Sequence, residues 1–200
     1  NETIQTLEDF LDLKVNYYAK TNFSGITNII DALGGVEVDS PYEFTTLHGN
    51  YKIKKGVNEL NGDQALCFVR ERYALPSGDF DRGKNQQRLL KAMLKKAMSP
   101  KIITNYSNIL AAVEGSFETD MSSDDIKSLV NMQLDDMANW EIFNVQVTGD
   151  GAISYDTYSQ KGKKTYITIP YKKSIQNIRK VIDKIEAGKK LTEADVKGLS

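Results

Sequence analysis

Apolar residues recur at helical spacing at the start of the chain, where Ile4, Leu7, Phe10 and Leu11 predict a first helix near residues 3–12. Val15-Asn16-Tyr17-Tyr18-Ala19-Lys20 reads as a strand. Thr21 or Asn22 then caps a helix running to Leu33, and Gly34-Gly35 supplies the left-handed geometry that ends it. Val36-Glu37-Val38 begins a strand stopped by Pro41, and Tyr51-Lys52-Ile53 reads as a short one. Asn61-Gly62-Asp63-Gln64 has the shape of a capping box, and the helix it opens carries Ala65, Leu66, Phe68 and Val69 and delivers Arg70. A loop holding Pro76, Ser77 and Gly78 follows. A longer helix then starts near Asp81 and runs to about Met98 with Leu89, Leu90, Met93, Leu94 and Ala97 inward, until Ser99-Pro100 breaks it.

The second half continues the mixture. Helices are predicted near 103–113 and 123–137, the latter capped by Ser122 or Ser123. Trp140 to Val147 alternates as a strand. Ile153-Ser154-Tyr155 and Tyr166-Ile167-Thr168-Ile169 read as strands joined by a polar hairpin. A final helix uses Ile175, Ile178, Ile182 and Ile185, and the polar tail after Gly188 is expected to fray. Helices and strands mixed throughout argue an α/β class or an α-β-α sandwich.

Bulk composition narrows the field of functions. At 200 residues with 40% hydrophobic content, the chain can bury a real core and does not read as disordered. A net charge of −1 gives it no general attraction for nucleic acid, so any anion site must come from local clustering. One cysteine, Cys67, and one histidine, His48, exclude an internal disulfide, thiol-rich zinc patterns and multi-histidine metal sites. Cys67 sits in the apolar run Ala65–Val69 and reads as core packing rather than as half of a catalytic pair with His48. No window is apolar enough to span a membrane and no signal peptide is visible.

The segment Arg70–Lys101 breaks the charge balance: nine basic residues against Glu71, Asp79 and Asp81 leave it at +6. Arg82 and Gln86 are four apart and share one face of the long helix. A helix N-terminus already favours an anion, an arginine fork holds two phosphate oxygens at once, and a glutamine amide adds an uncharged donor. Arg70 and Arg72 from one element converging with Arg82 and Gln86 from the next would suit a pyrophosphate better than a carboxylate. The competing reading is a solvated basic face, which suits Lys91, Lys95 and Lys96, with Asp79 and Asp81 pairing the arginines or capping the helix.

Two stretches resemble a known family. Gly62-Asp63-Gln64-Ala65-Leu66-Cys67-Phe68-Val69-Arg70-Glu71-Arg72 followed by Asp79-Phe80-Asp81-Arg82-Gly83-Lys84-Asn85-Gln86-Gln87-Arg88 is similar to the diagnostic stretch of the LytR-CpsA-Psr family. Asn22-Phe23-Ser24-Gly25 with Ile30-Asp31-Ala32-Leu33-Gly34-Gly35-Val36-Glu37-Val38 resembles its second hallmark. The resemblance implies an α/β fold of α-β-α sandwich type, with a mixed central sheet and helices on both faces. It also implies that the N-terminal strands of that fold are missing from this chain. Residues 1–170 would form the C-terminal part of the domain, and 171–200 a C-terminal helix and polar tail.

The implied activity is a cell-wall glycopolymer phosphotransferase. It would bind a polymer (teichoic acid or capsular polysaccharide) linked to polyprenyl pyrophosphate and transfer it to peptidoglycan. The resemblance also implies Mg2+ as cofactor, with its ligands upstream of this chain. It implies a place on the extracellular face of the cell membrane, through an anchor outside this chain. Carried over by position, Arg70, Arg72, Arg82 and Gln86 would contact the pyrophosphate, and Arg70, Arg72, Arg82 and Asp79 would serve catalysis. Asp81 and Arg88 are secondary candidates, and the helices at 22–33, 62–69 and 86–98 would line a tunnel for the lipid tail. Apolar periodicity alone does not separate such a tunnel from core. The alternatives are a non-catalytic polyprenyl-phosphate binding module and a membrane-associated transcriptional regulator or attenuator. The regulator should show a compact helix-turn-helix. Here the loop before the basic helix is long and the helix opens with acidic residues.

Overall fold

The structure, a computed structural model, describes residues 2–137 and 140–199. The chain forms two compact units, one from residues 17–142 and one from the two chain ends, 2–16 and 143–199.

The first unit is organised around three helices whose limits are written in the sequence. Helix α2 (Phe23–Ala32) follows α1 (Glu2–Leu11) of the other unit and starts at Asn22, whose side chain accepts the Gly25 N–H. It ends as Gly34 N–H bonds Asp31 O and Gly35 N–H bonds Ile30 O, the paired bonds of a Schellman terminus, with both glycines at positive φ. Helix α3 (Gly62–Arg70) opens with the expected capping box between Asn61 and Gln64. Helix α4 (Asp79–Ala97) begins two residues earlier than its periodicity predicts. Helices α2 and α3 lie close because Gly62 leaves room: a Cβ there would stand 2.5 Å from Thr27 O. The Gly62 N–H also donates to Asp31 across the same gap at 2.7 Å.

Strands β2 (Val36–Ser40) and β5 (Gly56–Leu60) pair antiparallel, with Val36, Val38 and Leu60 inward. Strands β3 (Phe44–Thr45) and β4 (Lys52–Ile53) form a short hairpin whose tip spans residues 46–51. Ile30, Val38, Phe44, Ile53, Phe68 and Leu89 share one core, in which the Phe44 and Phe68 rings stack at 6.0 Å. The unit is completed by β1 (Ala19–Thr21) paired with β6 (Phe117–Thr119), and by α5 (Pro100–Ile103), α6 (Tyr106–Ala112) and α7 (Ser123–Asp136).

In the second unit, β7 (Gly149–Ser154) and β8 (Thr165–Pro170) form a hairpin. Helix α8 (Lys172–Glu186) contacts α1, and α9 (Glu193–Val196) follows it.

The α/β class is as the sequence implies, while the strands pair two at a time in four antiparallel sheets among the described residues. Several elements differ from their predicted form. The strand expected at 15–20 is reduced to β1, because the Val15 N–H is taken by the Glu8 carboxylate rather than by a ladder. Residues 140–147 alternate in sequence but form no strand, and the Gln146 N–H instead bonds Leu199 O. The helix expected over 103–113 is split into α5 and α6, with Asn105 N–H turning back to Ile102 O. The tail after Gly188 is folded: Val196 is buried and Lys184 pairs with Asp195 at 2.6 Å. The sequence pattern predicts none of β3, β5 and β6.

Candidate functional site

Three helices and two loops of the first unit enclose a cleft of ≈ 670 Å³. Helix α2 contributes Phe23, Ile26 and Ile29, α3 contributes Leu66, Val69 and Arg70, and α4 contributes Arg82, Gln86, Leu89, Leu90 and Met93. The α4 residues fall at i, i+4, i+7, i+8 and i+11, a single stripe along one helix face. That stripe changes character along its length, from guanidinium and amide to aliphatic. Arg70, Glu71, Arg72 and Tyr73 form the polar rim with Leu47 and His48 from the β3–β4 tip.

Arg70, Arg72, Arg82 and Gln86, proposed from sequence to converge, all line this cleft. Each arginine already has a local partner. The Arg70 guanidinium lies 4.9 Å from the centre of the Phe23 ring. Arg72 lies over Tyr73 at 4.6 Å and donates to its hydroxyl at 2.6 Å. Arg82 forms an ion pair with Asp79 at 2.6 Å, its side chain about one-third exposed at 34%. Such half-exposed pairs contribute roughly 0.2–1 kcal/mol, too little to hold Arg82 against a multiply charged ligand.

Asp79, Asp81 and Arg88 are not among the residues lining the cleft. Asp79 serves Arg82, Asp81 is buried and accepts the Ser77 N–H at 2.8 Å, and Arg88 donates to Asn85 at 2.8 Å. The predicted contribution of the α4 N-terminus to anion binding is also not realised. The first-turn residues 79–81 lie outside the cleft, Phe80 N–H bonds Ser77 O, and two aspartates already meet the positive end of the helix.

Sequence reasoning missed Glu71. Although it stands between two arginines of a charged run, it is only 3% exposed. One carboxylate oxygen accepts the N–H groups of Arg72, Tyr73 and Ala74 at 3.0, 2.8 and 3.0 Å. The other accepts the Leu47 N–H at 2.6 Å. Burial works to raise its pKa, yet the four N–H donors together hold it below the ordinary glutamate value. No residue type or spacing signals this role, since the donors are backbone groups. Cys67 is half-buried in α3 and does not line the cleft; burial, and Asp63 beside it, push its thiol up against the opposing effect of Arg70.

No group of three or more His, Cys, Asp or Glu side chains among the described residues is arranged to hold a metal ion. The acidic groups nearest the arginines are committed to Arg82 and to backbone N–H groups.

Residues 1–187 match the model of the LytR_cpsA_psr family. The chain belongs to that family. Among family relatives, a polyisoprenyl-teichoic acid–peptidoglycan teichoic acid transferase, TagU of Bacillus cereus, is 36% identical over 149 residues. That alignment covers 74% of this chain and 48% of the relative, so the chain spans about half the length of the curated relatives it matches. The crystal structure of TagV from B. subtilis superposes with a TM-score of 0.75 at 25% identity, covering 95% of this chain and 71% of the other. A protein of Enterococcus faecalis described as a transcriptional regulator superposes with a TM-score of 0.74 at 26% identity, covering 97% and 67%.

Proposed function

We propose that this member of the LytR_cpsA_psr family binds a glycopolymer carried on polyprenyl pyrophosphate and takes part in its transfer to peptidoglycan at the outer face of the cell membrane. The observation that carries the reading is the two-ended cleft. Three arginines and a glutamine stand at one end, and Ile26, Ile29, Leu66, Leu89, Leu90 and Met93 line the other. An amphipathic ligand with a doubly charged head and an aliphatic chain fits both ends, whereas a soluble anion leaves the apolar part unused. The name of the TagU relative, a teichoic acid transferase acting between a polyisoprenyl carrier and peptidoglycan, supports the same reading.

The chemistry that these residues supply is electrostatic. Transfer of the polymer phosphate to a peptidoglycan hydroxyl forms a new P–O bond at the polymer-side phosphorus and breaks the bridging P–O bond of the pyrophosphate, releasing the lipid monophosphate, with the hydroxyl proton passing to solvent or to the departing phosphate. Arginine forks neutralise the non-bridging oxygens and the departing phosphate, and Gln86 adds orientation without charge. A magnesium ion shared between the phosphate oxygens and a carboxylate would add to that neutralisation.

Mass spectrometry of lipid extracted from the purified protein tests the proposal. A bound polyprenyl phosphate or pyrophosphate is expected. A protein that co-purifies with no such lipid, and does not bind added geranylgeranyl pyrophosphate, would overturn it.

A further inference from the structure

Glu71 is the buried carboxylate that the proposed chemistry leaves without a task. It joins two segments far apart in sequence. Its one oxygen gathers the N–H groups of residues 72–74, the stretch that carries Arg72 and Tyr73. Its other oxygen reaches the hairpin tip at Leu47. The tip is tied further by Thr46, whose hydroxyl donates to His48 O and accepts the Tyr51 N–H. Leu47, His48, Arg72 and Tyr73 all line the cleft.

We propose that Glu71 is a positioning residue: it clamps the Leu47–His48 tip to the Arg70–Ala74 segment, making one wall of the cleft that presents Arg72 to the headgroup. The inference rests on the pyrophosphate reading of the cleft and deepens it by assigning the wall's geometry to a carboxylate whose two oxygens are both taken by backbone N–H groups. The two oxygens do separable work, which gives the idea a sharp test. A glutamine at this position keeps one oxygen for residues 72–74 but turns an NH2 donor toward the Leu47 N–H, donor against donor. Glu71→Gln therefore frees the tip and spares the arginine segment. Thr46→Val, nearly the same shape, loosens the tip from its other side without touching Glu71.

The experiment combines amide hydrogen exchange with titration of two probes, geranylgeranyl pyrophosphate and the uncharged alcohol geranylgeraniol. In Glu71→Gln the Leu47 amide should lose protection while the amides of residues 72–74 keep theirs. The pyrophosphate probe should weaken about tenfold, the scale of one lost charge-assisted hydrogen bond, with the alcohol unchanged. Thr46→Val should shift the same probe in the same direction. General destabilisation would weaken both probes together and overturn the assignment. Wild-type affinity for the pyrophosphate probe in Glu71→Gln, or a Leu47 amide as protected as before, would overturn it too. Failure of the unaltered protein to bind the pyrophosphate probe is a separate result, which removes the pyrophosphate reading and this inference with it.

Discussion

Arg82 stands at the polar end of the α4 stripe, one turn before Gln86 and two before Leu89, so it faces the headgroup of any ligand lying along that helix. Its pairing with Asp79 keeps the guanidinium near the cleft without binding it tightly. Replacing Arg82 by alanine should cost the pyrophosphate probe about 2 kcal/mol of affinity, the typical worth of a hydrogen bond to a charged group. The melting temperature should stay nearly unchanged, because the lost ion pair is exposed. Isothermal titration and thermal unfolding on the same variant check both halves. Equal affinity for the probe would remove Arg82 from the site. At this scale the sequence shows the arginines plainly, since charge and spacing mark them. It does not show Glu71, because a glutamate between arginines looks the same whether it points to water or gathers four backbone N–H groups.

Among elements, α2, α3 and α7 were legible because their caps and apolar stripes agree, whereas α4, with Gly78 at its N-cap and no capping side chain, was legible from its stripe alone. Asn22, the Asn61–Gln64 box and Ser122 sit where the helices begin. Strand β5 was not, because its pattern runs against its burial. Asn58 is 8% exposed while Val57 is 64% exposed, and Asn58 is accommodated by bonds to Lys54 and Gly56. The stretch 140–147 erred in the opposite direction, since alternation without a neighbouring strand does not make a ladder. The α2–α3 crossing decides the width of the cleft, and Gly62 sets it. Gly62→Ala would place a methyl 2.5 Å from Thr27 O and 2.9 Å from an Asp31 oxygen, so the helices must part. A loss of about 1–3 kcal/mol in stability is expected, read from the midpoint of a denaturant titration, together with weaker binding of the pyrophosphate probe.

For the whole molecule, the cleft lies entirely within the unit of residues 17–142, and the chain ends form a unit of their own. The second unit contains a feature that composition hides: a polar tail held by a specific contact. Asp195 accepts from Lys184 and from the Thr192 hydroxyl and backbone N–H, and these hold its pKa down at about 2 rather than the usual 3.8. A carboxylate depressed in this way stabilises the folded tail above its unfolded pKa, and that contribution is lost as pH falls through the folded value. Protection of the Thr192 amide should therefore hold at neutral pH and fade as pH drops from about 4 toward about 2, as an NMR exchange series would show. Asp195→Asn should fade it already at pH 7. The cleft amides should not follow Asp195→Asn at pH 7, since none of these groups belongs to their unit.

The ion pair between Arg82 and Asp79 also bears on which solutes the cleft admits. A guanidinium that already holds a carboxylate gains little by exchanging it for a single weak negative charge from solution. Chloride or acetate would merely exchange one monovalent neighbour for another, whereas a diphosphate brings enough charge, shared with Arg70 and Arg72, to displace Asp79. On the proposed reading, an anion's valence would weigh in its admission to the cleft before its shape does.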